Sequence, residues 1–207
     1  MMFTSMVSAL TRARALQNLA AGPFLSLGPH LHEFKPLIVQ KTTKVCVGNE
    51  QDLATWRGDG ALFFTIACLR QTMGSSDSAT IQVIYEHDTD TVYFLRREAW
   101  IKDLPEDTQL VGQYVEDQIE GRIQPNFMVF DIIKHNKNDM RCIPPPDRYA
   151  ILQAVANGFN RAYITLQWVG VCNVVKELLD KNRTCIPHEI KCGLYLTKDP
   201  LFPSILM

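Results

Sequence analysis

Apolar positions in this chain gather into short runs separated by polar, glycine-bearing turns, the pattern of a sheet-rich domain. The sharpest boundary lies at residues 55–67. There Thr55-Trp56-Arg57-Gly58-Asp59-Gly60 makes a polar turn. Ala61-Leu62-Phe63-Phe64-Thr65-Ile66-Ala67 follows as an apolar, β-branched and aromatic run, which predicts a tight loop entering a buried strand. Residues 80–85 alternate as a strand, His87-Asp88-Thr89-Asp90 turns, and residues 91–95 return, so a β-hairpin is expected. Residues 128–133 form another apolar run, broken only by Asp131. Helices are predicted over 147–156, capped by Asp147 and stopped near Gly158, and over 174–181, with a strand over 162–169 between them. Pro144-Pro145-Pro146 reads as a stiff connector. Upstream, residues 37–39 and 44–47 read as short strands, 49–52 as a polar turn, and 5–20 as a helix ended by Gly22-Pro23. The elements together define an α+β domain.

With 207 residues, 46% of them hydrophobic, the chain is long enough for one domain with a sizeable core plus a tail. The boundary is expected near 32. Residues 1–32 carry Arg12, Arg14 and several hydroxyl residues but no acid, the composition of a mitochondrial presequence, with a helix docked on the domain as the even alternative. A mitochondrial location is the expectation that follows, with nucleus or cytoplasm as the alternative. Residues 33–207 hold the rest. A net charge of −1 gives no global field toward nucleic acid or acidic lipid, so any RNA contact has to be local. Six scattered cysteines without a C-x-x-C pair favour packed thiols over a zinc site or a disulfide framework, and no metal site is expected. No apolar run reaches the roughly 20 residues that a membrane span needs.

The candidate chemistry is local. Gly58 and Gly60 let the backbone approach a ligand, with Arg57 and Asp59 projecting from the same turn; the plain alternative is a solvated surface turn. Arg96 and Arg97 end the hairpin and could join Arg57 in a phosphate patch, or form a charged rim. Trp56 and Trp100 could stack on a base, although packing is the commoner fate of a Trp. Asp131, set in an apolar run, needs a ligand or a basic neighbour as partner, or orders the next turn. His188-Glu189 lacks a third member for acid–base work. Phosphate-loop, H-E-x-x-H and G-x-S-x-G signatures are absent.

Four segments, in order and at comparable separations, resemble the motifs of covalent nucleotidyltransferases, the group of mRNA-capping guanylyltransferases and DNA and RNA ligases. Arg57-Gly58-Asp59-Gly60-Ala61-Leu62, preceded by Trp56, resembles the Lys-x-Asp-Gly-x-Arg turn. Residues 108–115, with Gly112 and Gln113, stand where an Asp-Gly-Glu strand is found. Residues 125–134, with Asp131, resemble the strand that follows in capping enzymes. His188-Glu189-Ile190-Lys191-Cys192-Gly193-Leu194 resembles the later Glu-x-x-Asp-Gly-Leu segment. This resemblance, over roughly residues 43–202, implies mixed, mostly antiparallel sheets of the nucleotidyltransferase (ATP-grasp-like ligase and capping) type. It implies a single domain here without the C-terminal OB domain, since the sequence stops at Met207.

The departures from the pattern concern chemistry. The family's Lys must lose a proton to attack the α-phosphate, whereas Arg57 keeps its charge and is a poor nucleophile. Leu62 replaces the motif's Arg, Val111 and Gln113 its two acids, and Cys192 the later Asp. Lys41 and Lys44 are the only lysines just upstream of Arg57 and carry little weight as substitutes. The resemblance implies a degenerate domain with no catalytic residue that binds nucleotide, a capped 5′ end or RNA within a larger protein complex. Its binding residues would be Trp56, Arg57, Asp59, Gly60, Arg96, Gln113, Asp131 and Gly193. The snurportin-type cap-binding domain, which is similar to capping enzymes, offers a parallel. The alternatives are an active guanylyltransferase, which alone would need GTP and Mg2+, and a mitochondrial ribosome-associated structural subunit.

Overall fold

The computed structural model describes residues 19–23, 40–41, 52–73, 77–181, 186–197, 200 and 203–206. In chain order the strands are β1 (Ala20–Pro23), β2 (Gln40–Lys41), β3 (Leu53–Gly58), β4 (Leu62–Met73), β5 (Asp77–Glu86), β6 (Thr91–Leu95), β7 (Thr108–Ile119), β8 (Arg122–His135) and β9 (Asn138–Asp139). Helix α1 (Pro145–Val155) leads to β10 (Ile164–Leu166) and β11 (Gly170–Val171), and α2 (Cys172–Lys181) leads to β12 (Ile190–Tyr195) and β13 (Ser204–Leu206). Eight described strands form sheet A in the order β1-β6-β5-β4-β7-β8-β10, with β9 on β8. Five form sheet B in the order β11-β3-β12-β13-β2. Pairing is antiparallel except where β10 joins β8 and β13 joins β2. The expected α+β class and mostly antiparallel, mixed sheets are present.

Local chemistry explains the main turns. The β7–β8 hairpin closes through Glu120 at φ 51° and Gly121 at φ 75°, the twist-matched turn for two long strands paired Ile119 to Arg122. Between β3 and β4 the chain leaves sheet B and enters sheet A, and Gly60 takes φ 67° at this passage. Gly112 sits at a register shift of β7 against β8, where a Cβ would lie 2.4 Å from the Met128 carbonyl oxygen.

Several sequence expectations shift. The proline run is the start of α1, not a connector: Pro144 precedes the helix and Pro145 and Pro146 fill its first turn, where no amide hydrogen is required. Asp147 therefore stands inside the first turn and makes no side-chain cap. The strand expected over 162–169 shrinks to β10, and α2 starts two residues earlier than expected. Gly22-Pro23 does not end a helix but lies in β1, which pairs with β6, and Leu19 before it is fully buried in the core. Residues 19–23 are thus built into the domain although the boundary was expected near 32. The remainder of the helix over 5–20, the presequence, the strands over 37–39 and 44–47, and Lys44 lie outside the described residues.

Two apolar layers matter for the site. On one face of sheet A, Leu62, Phe64, Ile66, Val129 and Ile132 pack with Leu152 of α1. On the other, Phe63, Val111, Phe130 and Ile133 meet Leu194, Leu196 and Leu53 of the sheet B side. Behind sheet B, Ala54 and Trp56 pack on Val175 and Leu179 of α2.

A single ion pair ties these layers. Arg148 of α1 is fully buried, and its Nε and Nη2 donate to Asp131 Oδ1 and Oδ2 of β8 at 2.9 and 2.8 Å. Its remaining N–H groups reach the carbonyls of Ile143 and of Thr197, just past β12. The carboxylate that the sequence left in search of a partner is therefore matched from within the chain.

Removing Arg148 alone, as Arg148→Met, is expected to lower unfolding free energy by about 3–5 kcal/mol, because Asp131 is left as an uncompensated buried charge. Urea unfolding checks this. The double variant Arg148→Met, Asp131→Leu is expected to recover much of the loss, and equal loss in both would refute the account.

Candidate functional site

The passage from β3 to β4 sets the geometry. Leu53, Thr55 and Arg57 alternate onto the face of β3 turned toward sheet A, and Ala54 and Trp56 turn toward α2. Arg57 reaches across the gap between the sheets, its guanidinium carbon 4.8 Å from the centroid of the Phe63 ring of β4. Its Nε is buried and has no hydrogen-bond partner among the described residues. Cys192 of β12 pairs with Arg57 in register. Burial pushes the Cys192 thiol up, against the pull of Arg57 and Lys191.

Below Arg57 lies a closed polar network. Gln113 of β7 is fully buried; its Oε1 accepts from the Gly58 amide at 3.1 Å, and its Nε2 donates to the Trp56 carbonyl and to Gln167 Oε1, both at 2.8 Å. Gln167 is fully buried too and donates to the Trp56 carbonyl at 2.7 Å and to Thr55 Oγ1 at 2.8 Å. Thr55 in turn donates to the Trp168 carbonyl. A carboxylate could not replace Gln113, because two of its contacts require a donor. This accounts for the amide at a position where the family resemblance implies an acid.

Beside the network stands a second chain of bonds. Trp56 Nε1 donates to His188 Nε2 at 3.0 Å, and His188 Nδ1 donates to Asp117 Oδ1 at 2.7 Å. Asp117 also accepts from Asn126 Nδ2 at 2.9 Å. Burial alone would push the Asp117 carboxyl up; the bonds from His188 and Asn126 outweigh it and hold the group below the usual carboxylate range. The Trp56 ring stacks on Trp168, centroids 6.2 Å apart and planes 25° apart. Residues 186–189 strap this corner, with the Asp59 amide donating to the Glu189 carbonyl and the Gln118 amide to the Pro187 carbonyl. Gly58 is the close-approach point, since a Cβ there would lie 2.6 Å from Val115 Cγ1.

The expected site residues thus divide. Trp56, Arg57, Gln113 and Gly193 come together, with Gly193 paired to Trp56 in register. Asp59 and Gly60 are exposed at the adjoining turn. Asp131, on the neighbouring β8, faces Val111 but is engaged by Arg148. Arg96 does not join Arg57. It lies beyond Leu95 of β6, two strands from β4, with its Nε on the Ala20 carbonyl and its amide on the Leu19 carbonyl. The expected patch of Arg57 with Arg96 and Arg97 does not form, because the end of β6 next to Arg96 is level with the middle of β4: Phe94 faces Val83, and Val83 faces Ala67. Trp100 stays with that edge, its indole donating to the Leu95 carbonyl.

The sequence missed Asp117, Arg148, Gln167 and Trp168. The only signal for Gln167 was a lone polar residue in an apolar strand. Asp117 supplies the third member that His188 seemed to lack, but Nε2 already accepts from Trp56, so the pair has no free lone pair for general-base work. Among the described residues no group of three or more His, Cys, Asp or Glu is placed to hold a metal ion, and no helix is long and apolar enough to cross a membrane.

Two packed sheets with a cationic side chain entering between them make up the α+β framework. The structure is similar to that of a mycobacterial DNA ligase D complexed with ATP and MES, with a TM-score of 0.52 at 12% sequence identity. The likeness covers 84% of this chain, which spans about 60% of the ligase chain's length. It is a likeness of fold, in line with the covalent nucleotidyltransferase resemblance, and nothing in it is specific to capping enzymes or to snurportin. No protein-family model matches the chain, and no curated protein matches it by sequence.

Gln113→Glu is expected to cost about 2–4 kcal/mol at about pH 8, since a carboxylate oxygen would face the two acceptor oxygens now served by Nε2. The introduced carboxyl would titrate higher in the folded than in the unfolded chain, so the loss should shrink as pH falls toward about 5. Urea unfolding at both pH values checks this, and a variant as stable as wild type at each would contradict the network.

Proposed function

We propose that this chain is a nucleotide-binding domain that retains the inter-sheet site of the ligase type and does not carry out covalent transfer. The observation behind this reading is Arg57: a guanidinium held over Phe63 between the sheets, with a buried Nε that has no partner among the described residues. A permanently charged, planar donor suits phosphate oxygens and cannot serve as the attacking amine. In the same region Gln113 and Cys192 stand where the resemblance implies carboxylates. The ATP with which the similar ligase is complexed supports nucleotide as the ligand class. A capped or triphosphate 5′ end of RNA is the natural extension, since the open Asp59-Gly60 turn adjoins Arg57 and the partly exposed Trp168 stacks on the preceding Trp56. Such a domain would act within a larger protein complex, supplying recognition while other subunits supply chemistry.

Incubation with α-labelled GTP or ATP and Mg2+, followed by denaturing electrophoresis, is expected to give no labelled protein, with Arg57→Lys run alongside. Titration of the chain with GTP is expected to quench tryptophan emission, with affinity weakened about tenfold or more in Arg57→Ala, the size of a lost charged hydrogen bond. A labelled wild-type band would overturn the loss of transfer. Absence of any binding, or unchanged binding by Arg57→Ala, would overturn the nucleotide site.

A further inference from the structure

His188 is bonded at both ring nitrogens, and the two partners make opposite demands. Asp117 offers only acceptor oxygens, so Nδ1 carries the proton. Trp56 Nε1 can only donate, so Nε2 must be bare. The geometry therefore fixes a neutral imidazole of one tautomer. A second proton has one place to go, Nε2, where it would point at an indole N–H. The imidazolium would keep Asp117, with a stronger bond, and lose Trp56.

We propose that His188 is a positioning residue whose second proton releases Trp56, so that the hold of the inter-sheet wall on its ligand weakens as pH falls. The path is short. Trp56 is 6% exposed, so a freed indole N–H has no water to turn to and the ring must shift. Its carbonyl carries the bonds from both Gln113 and Gln167, its ring stacks on Trp168, and Arg57 is the next residue. Of the charged groups, Asp117 from β7 is bonded to the ring, while exposed Glu189, next in the strap, and exposed Asp59 of the turn meet each other through their backbones. β3 faces the ring with Trp56 and Gly58, and α2 contributes apolar Val175, Leu178 and Leu179 to the Trp56 cluster. Only the Trp56 N–H stands where a proton on Nε2 would point. The effect on ligand rests on the nucleotide reading above; the release of Trp56 does not.

The test uses the full chain with Trp100→Phe, to remove the remote reporter, and follows tryptophan emission and the Trp56 indole N–H resonance between about pH 8 and about pH 5. The expected result is a single transition in both signals. It should vanish from both signals in His188→Gln, whose amide can donate to Asp117 and accept from Trp56 but takes no proton in this range, and from the remaining Trp168 emission in Trp56→Phe, which has no N–H to displace. GTP affinity is expected to fall at least threefold more across the range in wild type than in His188→Gln, a comparison that cancels titration of the nucleotide itself. Constant signals from a folded wild type, or the same transition in either variant, would overturn the proposal. A transition with no GTP binding at any pH would uphold the release of Trp56 and overturn the nucleotide reading instead.

Discussion

The Asp131–Arg148 pair is the constraint from which the functional wall is hung. Taking both charges out of water is costly, and extensive use of the guanidinium fork offsets it, with two bonds to one carboxylate and two to carbonyls from different parts of the chain. One of those carbonyls, Thr197, follows the central strand of sheet B, while Asp131 belongs to sheet A. The pair therefore sets where α1 sits and how far apart the sheets lie. Tyr149, the next residue of α1, passes this placement on, its hydroxyl donating to the Gln167 carbonyl and accepting from the Val169 amide. From Gln167 the bonds run to Gln113, Thr55 and the Trp56 carbonyl. A helix on one flank thus positions a strand two elements away through a continuous series of satisfied polar contacts.

Satisfaction also marks the wall beside Arg57. Here Gln113 and Gln167 have every donor occupied and His188 has both nitrogens engaged. Arg57 reaches the gap with a buried Nε that has no partner among the described residues. Such a wall is suited to holding an anion in place rather than to handing it on.

The fold was more legible than the site, for a physical reason. Apolar runs such as residues 62–67 and 128–133 report burial directly, because water selects against leaving them exposed. Their turns are punctuated by residues able to take positive φ, as at Gly60 and Gly121. Trp56, Arg57, Gln113 and Gly193 were placed together by motif spacing alone, and the strands bring them together. Arg96 shows the limit of that reasoning, since a basic residue at a strand end carries no information about which sheet edge the strand will occupy. Arg148 and Asp117 were invisible for a related reason. A charge that will be buried looks, in sequence, like one that will be solvated, and only the partner distinguishes them. The proline run was misjudged because stiffness and helix initiation ask for the same fixed φ.

One consequence follows from the place of β1. Ala20–Pro23 forms the outermost described ladder of sheet A, and Leu19 is wholly enclosed beside it. Proteolytic trimming that passed this point would uncover the flank of β6, leaving a row of unsatisfied amides and carbonyls ready to recruit a strand from another molecule. A chain cut past Leu19 would be expected to self-associate into aggregates.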